Sequence, residues 1–187
     1  MKPRSRLVYN SIFILSLCFI LSACTKRLAD PPDPKFELEQ IRLWLNADEC
    51  LNKYNDRCHT LYVCIYQLRD PNSFNNMSEI QEGLYELLGE GCRFNDPSVA
   101  ISKGIRIRPN QKEFAVTLDR AEGAKYIGIV AGYSSLEKQG TVRLFSIPII
   151  EKKRKEGWFR KVLYKAYGPI TIDLVLGETQ IRKAVAR

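Results

Sequence analysis

The residues of this 187-residue sequence best suited to chemistry are its six cysteines. A thiol can accept a lipid, form a disulfide, bind a metal or act as a nucleophile, and its surroundings decide which. Cys24 closes the tetrad Leu21-Ser22-Ala23-Cys24, directly after an apolar run. Small residues before such a cysteine are typical of the bacterial lipobox, where the thiol is acylated and the preceding peptide bond is cut. We predict that Cys24 carries lipid; a cleaved signal with a chance cysteine is the alternative.

Residues 1–23 have the composition of a secretory signal peptide. Three basic residues lie within the first six positions, and an apolar run follows that is densest from Ile12 to Leu21. That run is shorter than the roughly 20 apolar residues that a membrane-spanning helix needs. No aspartate stands at the position after Cys24, which favours the outer membrane. We expect the acyl chains to enter its inner leaflet and the domain to face the periplasm.

Four further cysteines, Cys50, Cys58, Cys64 and Cys92, remain in the exported chain. An even number in an oxidising compartment predicts two disulfides. Four cysteines allow three connectivities, among which we favour Cys50–Cys58 and Cys64–Cys92. The competing use is a zinc site built from Cys50, Cys58, His59 and Cys64, but these spacings lack the close cysteine pair of structural zinc sites.

The sequence predicts no enzyme and no cofactor besides the lipid. His59 is the single histidine, and its neighbour Cys58 is the one thiol it could activate, a geometry that adjacent residues rarely reach. Without residues 1–23 the chain has 26 Lys and Arg against 21 Asp and Glu. This modest excess, without a basic stripe interleaved with aromatics, excludes nucleic acid as a partner in the periplasm.

The elements that position these residues begin after a proline-rich tether. Residues 24–35 comprise the lipidated cysteine and this tether, and residues 36–187 form one periplasmic domain. Alternating apolar residues predict a strand from Phe36 to Leu45, with a bulge near Gln40. The segment Asn46–His59 is polar and predicts a loop.

The next element is a central strand at Leu61–Leu68, because apolar residues occupy both of its faces. Residues 69–76 end it. The sequence Ser78-Glu79-Ile80-Gln81 matches a capping box and predicts one helix that ends at Gly89.

Further short strands are expected where apolar residues alternate or cluster. They lie at residues 99–101, 105–107, 114–118, 124–133, 142–150 and 171–176. Seven or eight strands with one helix, in no βαβ alternation, predict a mainly β fold arranged as a two-sheet β-sandwich.

We expect a loop at Glu151–Lys161, a basic run that contains Trp158 and Phe159. It could touch anionic headgroups or an acidic partner. We favour the other interpretation, a solvated hairpin tip whose aromatics tuck into the sandwich, because charge runs are commonly solvated faces.

Several segments in order along residues 21–177 resemble a known family. They are the lipobox with its tether, the strand end Leu45-Asn46, the segment Ile65–Leu68 followed by a short break and Phe74, and the run AKYIGIVAGY at residues 124–133. Together they resemble the outer-membrane lipoproteins of type VI secretion systems, the TssJ family.

The resemblance implies a transthyretin-like sandwich that docks the C-terminal periplasmic region of the inner-membrane protein TssM within the trans-envelope complex. In the family, the loop between the first two strands contributes to this contact. The residues implied here are Asn46, Asp48, Glu49, Leu51, Asn52, Lys53, Tyr54, Asp56 and Arg57. Cys50 and Cys58 in that loop, and the basic run after Glu151, depart from the family pattern. The alternative function is an unrelated lipid-anchored sandwich that binds envelope components.

Overall fold

The computed structural model describes residues 30–156 and 160–187. The signal segment, Cys24, Trp158 and Phe159 lie outside the described residues, so the expectations about them stay predictions. The strands are β1 (Glu37–Ala47), β2 (Leu61–Leu68), β3 (Val99–Ile107), β4 (Phe114–Arg120), β5 (Tyr126–Ala131), β6 (Val142–Ser146), β7 (Ile149–Glu156), β8 (Arg160–Tyr167), β9 (Ile170–Leu176) and β10 (Ile181–Ala186). The helices are α1 (Asn72–Ser78), α2 (Gln81–Leu87), the short α3 (Lys138–Thr141) and a 3₁₀ turn (Glu90–Cys92).

Two four-stranded sheets enclose the main core. Their strand orders are β10-β9-β1-β4 and β3-β2-β5-β6, and β1 pairs antiparallel with β4 but parallel with β9. Alternate residues of β1, namely Ile41, Leu43 and Leu45, are fully buried between the sheets. The expected two-sheet β-sandwich is confirmed.

The bulge expected near Gln40 is present in β1. The pairing of β1 with β4 shifts between Glu37 and Ile41. Glu39 adopts a φ of 54°, and the carboxylate of Asp119 accepts a hydrogen bond from its backbone N–H at 2.8 Å. This extra residue explains why the alternation of apolar side chains changes phase at that point.

The prediction of a single helix from Ser78 to Gly89 is wrong, both in where the helix begins and in the number of helices. The structure has two short helices, and Ser78 ends the first rather than capping the second. The Ser78 hydroxyl donates to the carbonyl of Asn75 at 2.8 Å, and the second helix has Ile80 at its N-cap with no side-chain cap. Residues that were expected only to end β2 form most of α1.

The helices cover the outer face of the second sheet and form a second apolar cluster there. Tyr66 of β2, Phe74 of α1 and Leu87 of α2 are fully buried in it, and the Tyr66 hydroxyl donates to the Leu87 carbonyl. The disulfide Cys64–Cys92 joins β2 to the end of this helical layer. β2 is therefore apolar on both faces because one face meets the other sheet and the other meets the helices.

Several strands differ from the sequence expectation. The single strand expected at residues 142–150 is divided at Pro148 into β6 and the start of β7. β3 is one continuous strand where two short ones were expected, and β10 was not expected. The basic segment after Glu151 belongs mainly to strands β7 and β8, which pair with each other in a hairpin, and not to a loop. The described strands therefore number ten rather than seven or eight.

Candidate functional site

The loop between β1 and β2 lies at one end of the sandwich, where three other connections meet it. The N–H of Asp48 donates to the carbonyl of Leu176 at 2.9 Å, and the N–H of Lys53 donates to the carbonyl of Glu178 at 2.7 Å. On the other side, the N–H of Asn110 donates to the Asp48 carbonyl at 2.8 Å. The turns after β3 and β9 therefore fix the base of the loop.

Two residues anchor the loop from within. Leu51 is fully buried in the main core, and Asn52 is 9% exposed. The Asn52 side chain accepts a hydrogen bond from the N–H of Ser134 at 3.0 Å and donates to the Thr60 carbonyl at 3.4 Å. Leu51 and Asn52 were included among the expected contact residues, but the structure places their side chains inward, where they hold the loop in place.

The tip of the loop is exposed and closely folded. Tyr54 and Arg57 exchange backbone hydrogen bonds of 2.9 and 3.0 Å, and the disulfide Cys50–Cys58 closes the segment around them. Asn55 and Asp56 at the turn both have positive φ, a conformation that Asn and Asp tolerate well. The tip, residues 53–58, is therefore a constrained protrusion rather than a free polar segment.

Exposed side chains of mixed character cover this tip. Tyr54 is 57% exposed, and its ring lies near that of His59 with 6.5 Å between centroids. Lys53 lies 3.7 Å from the carboxylate of Asp56, which is almost wholly solvated, so this pair contributes little to stability. The expected contact residues that the structure places at the surface are Glu49, Lys53, Tyr54, Asp56 and Arg57.

The remaining two expected contact residues lie at the base. Asn46 belongs to β1, and its side-chain oxygen accepts a hydrogen bond from the N–H of Glu113 at 3.0 Å. The Asp48 carboxylate pairs with Arg182 at 2.7 Å. Burial raises the pKa of Tyr133 beneath this base, and the Asp48 carboxylate raises it further, so the phenol stays neutral.

The thiols near His59 are used structurally. Cys58 pairs with Cys50 and Cys64 pairs with Cys92, which is the connectivity favoured from the sequence. Among the described residues, no free thiol is therefore left for His59 to activate, and the three cysteines considered for zinc are oxidised. In the described part of the chain, no group of three or more His, Cys, Asp or Glu side chains converges as metal ligands do.

Sequence analysis did not identify the segments that lie beside the β1–β2 loop at this end of the sandwich. A depression of about 300 Å³ lies beside the loop between Asp48 and the β9–β10 turn. Its lining residues are Asp48, Glu178, Thr179, Gln180 and Arg182. Because strand β10 was not expected, nothing in the sequence indicated that the chain after β9 would return beside the first loop.

The comparison with protein families decides the identity of the chain. Residues 39–162 match the family described as type VI secretion lipoprotein, VasD, EvfM, TssJ. The chain belongs to the type VI secretion lipoprotein family. The resemblance read from the sequence is thereby confirmed.

Solved structures show the same fold. The Serratia marcescens protein Lip, a membrane-bound component of the type VI secretion system, is 17% identical with a TM-score of 0.56, covering 78% of this chain and 96% of Lip. The type VI lipoprotein TssJ1 from Pseudomonas aeruginosa is 18% identical with a TM-score of 0.56, covering 81% of this chain and 98% of TssJ1. A search of curated protein sequences gives no match.

Membership of a lipoprotein family agrees with the lipobox at Cys24. The family is one of structural components of the type VI secretion system, and it is not a known family of enzymes. Across residues 30–156 and 160–187, no helix is both long and apolar enough to cross a membrane.

Proposed function

We propose that this type VI secretion lipoprotein is anchored in the outer membrane by acyl chains on Cys24 and docks the C-terminal periplasmic region of TssM. The observation that carries the proposal is the position of the constrained loop. The tether meets the start of β1 at Glu37, and the loop begins where β1 ends at Ala47. Eleven strand residues separate the two ends by about 33 Å.

This arrangement suits a protein that must reach a partner away from its membrane. A lipid anchor at one end confines the domain near the membrane and raises its effective concentration for another envelope-bound protein. The opposite end then presents Tyr54 and Arg57, residue types that are enriched among strong interface contacts. Docking is therefore proposed at the exposed tip, with Leu51 and Asn52 supporting it.

Direct binding tests the proposal. The chain from residue 24 onward, carrying Cys24→Ser to prevent acylation, is titrated by calorimetry with the periplasmic C-terminal region of TssM from the same genome. We expect saturable one-to-one binding, and the double variant Tyr54→Ala, Arg57→Glu should weaken it by at least about tenfold.

A matched control separates the tip from general surface effects. Tyr85 is 60% exposed on α2, and Arg42 is exposed on β1, both away from the loop. Tyr85→Ala, Arg42→Glu should bind like the unchanged chain. If the folded chain fails to bind at high micromolar concentration, docking of TssM is refuted and the unrelated-lipoprotein alternative is favoured.

The loop disulfide gives a second prediction. Cys50 and Cys58 hold the tip in one conformation, so binding does not have to order it. Cys50→Ser, Cys58→Ser should weaken TssM binding about tenfold or more while lowering the melting temperature by about 5–10 °C at most. Unchanged affinity in this variant, measured by the same titration, would show that the loop needs no preorganisation.

A further inference from the structure

The β7–β8 hairpin holds the charge excess of the exported chain. Residues 149–167 contain seven Lys and Arg against two Glu, a net charge of +5. The chain from Cys24 onward has 26 basic and 21 acidic residues, also a net charge of +5. The rest of the exported chain is therefore balanced, with 19 residues of each sign. A surplus of positive charge that is confined to one hairpin indicates that the charge has a function at that place.

One face of the hairpin is a cluster of lysines around an apolar residue. The register places Lys155 opposite Lys161 and Lys153 opposite Leu163, all on the same face. These three lysines are exposed, and Leu163 is 44% exposed. Like charges directly opposite each other repel. Among the side chains that the structure describes, no carboxylate lies within ion-pair distance of these lysines.

The base of the hairpin lies at the tether end of the sandwich. The N–H of Gly168 donates to the carbonyl of Pro148 at 2.8 Å, which closes the base. The buried Arg120 joins this base to the start of β1, since its guanidinium donates to the Gly168 carbonyl at 3.2 Å and pairs with Glu37 at 2.9 Å.

The tether itself packs beside the same point. Asp33 pairs with Lys125 at 2.7 Å, and the Pro34 carbonyl accepts from the N–H of Gly123 at 2.7 Å. The Lys125 carbonyl in turn accepts from the N–H of Ile147, one residue before Pro148. The tether and the hairpin therefore leave the sandwich together, at the end opposite the constrained loop.

We propose that the lysine face of the β7–β8 hairpin binds the phosphate headgroups of the membrane that holds the anchor. A basic patch beside a lipid anchor supplies a second attachment, and lysine stems can lie along apolar surface while their ammonium groups reach phosphates. Two attachments at one end fix the orientation of the domain, which a flexible tether alone does not. The inference rests on the proposed anchoring at Cys24 but is independent of docking to TssM.

Vesicle binding of the non-acylated chain tests this proposal. The chain from residue 24 with Cys24→Ser is mixed with vesicles of phosphatidylcholine and phosphatidylglycerol in equal parts, or of phosphatidylcholine alone, and bound protein is measured by cosedimentation. We expect binding only to the anionic vesicles, and weaker binding as salt is raised. Lys153→Gln, Lys155→Gln, Lys161→Gln should weaken it by about a hundredfold.

The control variant lowers the net charge by the same amount at positions outside the hairpin. Arg42, Lys103 and Lys183 are exposed on the sandwich. Their triple glutamine variant should keep vesicle binding within about twofold. An equal loss in both triple variants, or no binding of the unchanged chain to anionic vesicles, overturns the proposal.

If vesicles are not bound but the hairpin variant loses affinity for TssM, the lysines instead meet an acidic protein surface. Vesicle binding without TssM binding would refute the proposed docking and leave this inference intact.

Discussion

Replacing Cys64 and Cys92 with alanine is expected to lower the free energy of unfolding by about 3–4 kcal/mol. The disulfide closes a segment with a sequence separation of 28, and both cysteines are fully buried in the cluster beneath the helices. Without the bond, the denatured chain gains the freedom that this loop closure removes. Equilibrium denaturation of the double variant and the unchanged chain, under oxidising conditions, measures the difference.

The loop disulfide is the natural comparison. Cys50 and Cys58 have a sequence separation of only 8, and the same reasoning gives about 2.5 kcal/mol for their removal at most. Amide hydrogen exchange distinguishes the effects of removing the two disulfides more clearly than the free energy of unfolding does. Loss of Cys64–Cys92 should speed amide exchange in α1 and α2, because it frees the helical layer from β2. Unchanged exchange in these helices would show that apolar packing alone holds them.

Replacing Phe74 with alanine should cost about 3–5 kcal/mol. Its ring is fully buried in the second cluster and rests on the backbone of β5 at Gly128. A Cβ at Gly128 would come within 2.7–3.0 Å of three ring atoms of Phe74, so Gly128→Ala should also destabilise, by about 1–3 kcal/mol.

The two substitutions should be strongly coupled. Removing the ring of Phe74 opens the space that the new methyl group at Gly128 needs, so the double variant should lose less stability than the sum of the single variants. Gly132→Ala is the matched control, because its Cβ would meet Leu88 and the Tyr62 carbonyl rather than Phe74. Its effect should add to that of Phe74→Ala. If denaturation shows that the losses from Phe74→Ala and Gly128→Ala are additive, the packing described here is contradicted.

Strands β1 and β2 could be predicted from sequence because burial alone determines their pattern. Strand β2 begins and ends where its apolar run does, and the bulge near Gln40 left a visible change of phase in β1. Nothing outside the segment was needed to recognise either. The sandwich followed from these signals and from the spacing of the weaker strands.

The helices and the last strand show why local signals fail. Ser78 and Gln81 fit a capping box, but α1 extends through Ser78, whose hydroxyl bonds backward to the Asn75 carbonyl and so does not cap α2. Strand β10 is mostly exposed, so its side chains carry little alternation. It exists because the edge of β9 is available for pairing, which is a property of the assembled sheet.

The same distinction applies to the candidate site. The polar composition of residues 46–59 was enough to predict a loop, and its cysteine spacing was enough to favour a local disulfide. The sequence could not show which side chains point inward. Asn52 is buried because its partner Ser134 lies 82 residues further along the chain, and Lys53 is fixed by Glu178.

The parallel pairing of β1 with β9 also determines when the domain can finish folding. Ile41 pairs with Ile170, and Ala47 with Leu176, so the first strand is completed only by residues near the other terminus. Such distant contacts must overcome a large loss of chain entropy before they add stability, which makes folding slow. For a chain exported as proposed, this central strand pair can form only after almost all of the chain has been released from the export channel, and the unpaired strands are exposed to aggregation until then.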